Sequence, residues 1–126
     1  MTRRIRITAG SVTAVAELND SKTAYAIWNA LPFTAEANTW GDEVYFTVPV
    51  KLSLENGKDV VNVGDIGYWP PGQAFCIFFG RTPMSRGEEI RPASAVTVLG
   101  RQTGDAKVFK GVKDGDRVTV DKIHDS

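Results

Sequence analysis

Residues 43–57 read EVYFTVPVKLSLENG, and the spacing of the apolar side chains within them decides the fold class. Val44, Phe46, Val48, Val50, Leu52 and Leu54 occupy every second position, with Glu43, Thr47, Lys51, Ser53 and Glu55 between them. A period of two places alternate side chains on opposite faces of an extended chain, so this is a half-buried β-strand. Pro49 has no amide hydrogen to give to a ladder, so it is expected at an edge, bend or bulge that divides the segment. The strand ends at Asn56-Gly57, whose tolerance of positive φ suits a tight hairpin turn, and Val60, Val61 and Val63 are expected to form the returning strand.

Outward from this stretch, further short strands are expected at about Arg4 to Ala9, Val12 to Leu18, Ala74 to Phe79, Ala95 to Gly100, Lys107 to Phe109 and Arg117 to Ile123. Many short strands punctuated by Gly and Asp-Gly point to a barrel or sandwich. One segment departs from that pattern. Ala24, Ile27, Trp28 and Leu31 fall at i, i+3, i+4 and i+7, which is a helical face. With Asp20 or Ser21 to accept from the first-turn amides and Pro32 as a stop, the spacing predicts one short amphipathic helix over about residues 21–31. Its apolar stripe needs a place to bury, and the open end of a barrel supplies one.

The chain has 126 residues, of which 42% are hydrophobic and 24% charged, enough for one hydrophobic core. A single domain over residues 1–126 is therefore expected. Fifteen Lys and Arg balance fifteen Asp and Glu, which removes the excess of positive charge on which binding to nucleic acid and to anionic lipid depends. Arg3, Arg4 and Arg6 alternate with Ile5 and Ile7 as the solvated face of a first strand would. No apolar run approaches the roughly 18 residues needed to span a membrane. Neither nucleic acid nor membrane is expected as a partner, and the cytoplasm is the expected location.

The residues of ordinary catalysis are sparse. Cys76 is the sole cysteine, so no internal disulfide can form, and its place between Phe75 and Ile77 suppresses the thiolate. The one histidine, His124, lies beside the C-terminus, where frayed chain would hold a base poorly. A metal site built on histidine is excluded by count. Asp42 and Glu43 are adjacent, so on one strand they would point to opposite faces and could not work as an acid/base pair. Gly64, Gly67, Gly72 and Gly80 match neither a phosphate-binding loop nor a dinucleotide fingerprint. No cofactor is expected. Arg81, Arg86 and Arg91 flank a loop, and two of their guanidinium groups converging on one pocket would mark an anion site.

The aromatics carry more information. Tyr45 and Phe46, Tyr68 and Trp69, and Phe78 and Phe79 are three consecutive pairs, and strand alternation lets only one member of each enter the core. The other must cover an outer face or line a groove.

The order of motifs then becomes specific. Trp40-Gly41-Asp42-Glu43-Val44-Tyr45-Phe46, followed by Gly64-Asp65-Ile66-Gly67-Tyr68-Trp69-Pro70-Pro71-Gly72 and by Ile77-Phe78-Phe79-Gly80-Arg81-Thr82-Pro83-Met84-Ser85, resembles the cyclophilin-like domain family of small prokaryotic proteins. The resemblance runs from the helix near Ala24 to about Gly100. It implies a mainly β fold, a closed eight-stranded cyclophilin-like barrel with the helix covering an end. True cyclophilins are peptidyl-prolyl isomerases whose groove carries Phe-His-Arg on one strand and Gln-Phe-Phe on another. Here the corresponding segments read Val44-Tyr45-Phe46-Thr47-Val48 and Cys76-Ile77-Phe78-Phe79, similar in aromatic character but without that arginine and glutamine. The resemblance implies a groove whose candidate residues are Tyr45, Phe46, Tyr68, Trp69, Phe78, Phe79 and Arg81, binding a peptide segment or a small apolar ligand. The alternative is a divergent peptidyl-prolyl cis-trans isomerase in which Arg81 reaches in from its loop.

Overall fold

The computed structural model describes residues 3–123; His124 lies outside them. Nine strands follow in order: β1 Arg3–Ala9, β2 Val12–Leu18, β3 Phe33–Glu36, β4 Asn38–Thr39, β5 Glu43–Thr47, β6 Asp65–Trp69, β7 Ala74–Phe78, β8 Thr97–Gln102 and β9 Arg117–Ile123. One α-helix, α1 (Lys22–Ala30), stands between β2 and β3. The strands form a single sheet of order β3-β9-β1-β2-β8-β6-β7-β5-β4, antiparallel at every pairing. The two outermost strands, β3 and β4, are separated in sequence only by the buried Ala37. One bent segment therefore joins both edges, and the sheet curls into a nearly closed barrel. Closure of this kind removes exposed edges. Counted as one strand with a bend, β3 and β4 reduce the nine to the eight expected.

The barrel interior is filled from alternate positions of each strand: Ile5 and Ile7, Val44 and Phe46, Ile66 and Tyr68, Phe75 and Ile77, Val118 and Val120. Phe46 stacks on Phe75 with ring centroids 5.0 Å apart. The helix begins where Ser21 accepts from the Ala24 amide at 3.0 Å, and its buried Ala24 and Ile27 join the inner core. Its N-terminus carries a second cap, since the Glu55 carboxylate accepts from the amides of Lys22 and Thr23 and from the Thr23 hydroxyl. These bonds hold the Glu55 carboxyl below its ordinary range. On the outer flank of the helix, the Arg3 guanidinium lies 5.2 Å from the centroid of the Tyr25 ring.

The structure corrects several expectations. The long strand of residues 44–54 stops at Thr47, and no hairpin forms at Asn56-Gly57. Asn56 does adopt a left-handed φ of 47°, but Lys58 bridges to Val96 and Val61 to Ile90 instead of pairing back. The cause is competition for the backbone. Val48 gives its amide to the Gln73 carbonyl, and the Tyr68 hydroxyl takes both the Leu52 amide (3.0 Å) and the Val50 carbonyl (2.7 Å). With Pro49 in between, few groups remain for a ladder. Residues 107–109 are not a strand but part of a 3-10 helix, Ala106–Gly111, opened by the Asp105 side chain accepting from the Lys107 amide. Their Phe109 is buried against Phe79. Three strands, β3, β4 and β6, were not expected as such. The strand expected at Ala95 to Gly100 lies two residues further on.

Candidate functional site

The strands that wall the barrel on one side, β5, β7, β6 and β8, have an outer face that is also largely covered. From β5 it presents Glu43 and Tyr45, from β7 Ala74, Cys76 and Phe78, from β6 Gly67 and Trp69, and from β8 and the residues before it Val96 and Val98. A bulge between Ile66 and Gly67 leaves Leu99 unopposed, so that β8 sends Leu99 to the inner core while Val98 joins the outer cluster. Over this face folds the segment of residues 79–96, whose Ile90 is buried against it. The buried Thr82 braces that segment, its hydroxyl donating to the Arg91 carbonyl and accepting from the Met84 amide.

Where the covering segment and the sheet part, they leave a cavity of about 240 Å³. Trp40, Glu43, Tyr45, Trp69, Cys76 and Val96 line it from the sheet side, and Pro92 and Ala93 from the cover. Each wall has a local cause. Tyr45 stands directly opposite Cys76 in the register, and Gly67 flanks Cys76 on the other side. A side chain at 67 would crowd this wall, because a Cβ there would lie 3.0 Å from a Val96 methyl and 3.3 Å from the Phe78 ring. Trp69 is pinned at two points: its indole Nε1 donates to the Ser94 hydroxyl at 2.6 Å, and its ring occupies the space a Cβ on Gly72 would need. Trp40 precedes a tight turn in which Gly41 holds a φ of 60°, the Trp40 amide donates to the Glu43 carbonyl and the Asp42 amide donates to the Arg81 carbonyl.

Glu43 is the one acidic side chain in the lining, and it is 5% exposed. Burial raises its pKa to about 7, opposed in part by a hydrogen bond with the Cys76 side chain. Burial, and then the charge of Glu43, push the Cys76 thiol well up. The pair therefore places a protonated thiol beside a carboxyl whose burial favours its neutral form, an arrangement poor in nucleophilic thiolate.

Of the residues expected in a groove, Tyr45 and Trp69 line this cavity, and Phe78 is fully buried in the outer cluster beside it. Phe46, Tyr68 and Phe79 turn into the inner core. Each aromatic pair is thus split across the sheet. Arg81 is exposed and is not in the lining, and the Arg91 guanidinium faces Glu89 at 3.2 Å. None of the lining residues is an arginine. Sequence reasoning passed over Trp40, Glu43, Cys76, Pro92, Ala93 and Val96 as site residues. The signal for Glu43 was its parity with Tyr45 on one strand. A larger, polar hollow of about 820 Å³ lies between Asn19, Asp20, Glu55 and Thr97, and the Glu55 carboxylate there is already committed to the helix N-terminus.

A family model described as cyclophilin-like matches residues 3–121. The solution structure of a hypothetical protein from Archaeoglobus fulgidus superposes with a TM-score of 0.84 at 47% sequence identity, covering 97% of this chain and 95% of that one. A comparison with curated proteins finds no match. No helix among the described residues is long and apolar enough to cross a membrane.

Proposed function

The chain belongs to the cyclophilin-like family, and on that premise we propose that it is a binding module that takes a peptide segment or a small, apolar-surfaced ligand on the outer face of its barrel. The observation that carries this reading is the cavity of about 240 Å³ beside Tyr45 and Trp69, open to solvent and walled mainly by aromatic and aliphatic side chains. Preformed concave sites with apolar walls and one or two polar groups are where small ligands bind. The volume is below the roughly 300–1,000 Å³ of a pocket for a whole drug-sized ligand. It suits one side chain, such as a proline ring, or one small head group.

Against isomerase activity stands the content of the lining. Rotation about an X-Pro bond faces a barrier of ~20 kcal/mol, and lowering it needs a group that favours the twisted amide over the planar one. A cationic donor could do so by drawing density from the prolyl nitrogen. The lining contains none, and aromatic walls alone hold planar and twisted forms alike. Titrating proline-containing peptides into labelled protein is expected to shift the Trp69 indole and the amides of Tyr45, Cys76 and Ala93. In a protease-coupled assay the same peptides are expected to isomerise at the uncatalysed rate. Absence of shifts at millimolar peptide removes peptide binding; acceleration that Arg81→Ala abolishes restores the isomerase reading.

A further inference from the structure

The cavity has one feature that a purely apolar ligand leaves unexplained. Glu43 is 5% exposed among the rings of Trp40, Tyr45 and Trp69 and beside the Cys76 thiol, with no lysine or arginine in the lining. A carboxylate in apolar surroundings is costly unless an opposite charge joins it. Aromatic rings attract cations through their quadrupole, and a desolvated site strengthens that attraction. Acceptors for N–H groups are few: the aromatic and aliphatic walls offer almost none. A cation suited to this place has a methyl-covered surface, a single charge and no hydrogen-bond donors to satisfy.

We propose that the cavity is a cage for the head of a methylated organic ammonium ion of about the size of choline, with Glu43 as its counter-ion and Trp40, Tyr45 and Trp69 as its aromatic walls. This rests on the reading of the cavity as a binding site and names the chemistry of its ligand. An anionic ligand would meet Glu43 as a like charge, and a neutral one would bring no charge to offset the buried carboxylate. The other titratable groups in the lining are Cys76 on β7 and Tyr45 two residues along β5. On the covering segment, Glu89 and Arg91 pair with each other. Ionisation of Glu43 therefore governs uptake of the cation.

The test titrates choline chloride and its uncharged isostere 3,3-dimethyl-1-butanol into labelled protein at pH 8, reading the Trp40 and Trp69 indole signals. Choline is expected to bind at least tenfold more tightly than the isostere, with the difference lost in Glu43→Gln. Lowering the pH to 5.5 is expected to weaken choline about thirtyfold, because the cation must displace the Glu43 proton, while the isostere is unaffected. That pH comparison on the unsubstituted protein decides the matter even if Glu43→Gln does not fold. A trimethyllysine peptide run alongside distinguishes a free ammonium ion from one presented on a side chain, and binding of either supports the cage. Equal binding of choline and the isostere, a preference that survives Glu43→Gln, or shifts with proline peptides alone overturns the ammonium assignment and leaves the binding reading standing. Silence from all of these compounds overturns both.

Discussion

Glu43 links stability to pH with a sign that follows from burial. Its carboxyl titrates near 4.5 in the unfolded chain and at about 7 in the folded one, so folding takes up a proton between those values and stability falls as pH rises through that window. Below it the group is neutral in both states; above it the full cost of burying the charge is present. The difference corresponds to about 3 kcal/mol. Glu43→Gln cannot ionise, so urea denaturation at pH 5 and pH 8 is expected to show that decline in the parent and its absence in the variant. An equal decline in both would remove the buried carboxyl as its cause. Tyr68 makes the complementary case on the inner face. Its hydroxyl donates to the Val50 carbonyl and accepts from the Leu52 amide, so Tyr68→Phe keeps the packing but leaves two backbone groups unpaired. A loss of about 1–3 kcal/mol is expected, with faster hydrogen exchange confined to residues 48–57. Unchanged exchange there would show that the hydroxyl does not hold the segment.

At the scale of elements, alternation was legible in β1, β2 and β9, whose shared ladders are continuous along the strands. Arg117–Ile123 and Val12–Leu18 lie where their periodicity puts them, and the helix lies within a residue of its expected bounds. The splitting of the three aromatic pairs was legible for the same reason. Residues 48–54 have as clear a period of two, and they fail to form a strand because the side chain of Tyr68, 16 and 18 residues beyond its partners Leu52 and Val50, takes the hydrogen bonds that a partner strand would have used. No local pattern carries that. Phe33–Thr39 was missed for the opposite reason: Phe33 and Ala37 are its buried positions, four residues apart, and a bend at Ala37 redirects the chain from β9 to β5. Glu43 was set aside because it was weighed against its neighbour Asp42. The relevant neighbours are Tyr45, two residues along the strand, and Cys76, across it, and the second of these is visible only once β5 and β7 are paired.

The molecule as a whole has two hydrophobic clusters on opposite faces of one curved sheet, and they are expected to fail separately. The inner one is closed by β9, which pairs with β1 on one side and β3 on the other. Val120 lies there fully buried, opposite Ile7 and Phe33. The outer cluster holds the cover: Val96 exchanges backbone hydrogen bonds with Lys58 in both directions, and the Val61 amide donates to the Ile90 carbonyl. Removing two methyl groups from a packed site costs about 2 kcal/mol whichever cluster contains it, but local and global opening are distinct events. Val120→Ala is expected to lower the global stability by that amount and to speed exchange in every strand together. Val96→Ala is expected to speed exchange chiefly at Lys58, Val61 and the segment of residues 79–96, leaving the protection of β1 and β9 nearly intact. If both variants speed exchange everywhere alike, the two clusters are one cooperative unit, and the cavity cannot open without unfolding the barrel. If they differ as expected, the aromatic site sits under a cover that can open while the barrel that positions Glu43, Tyr45 and Trp69 stays closed.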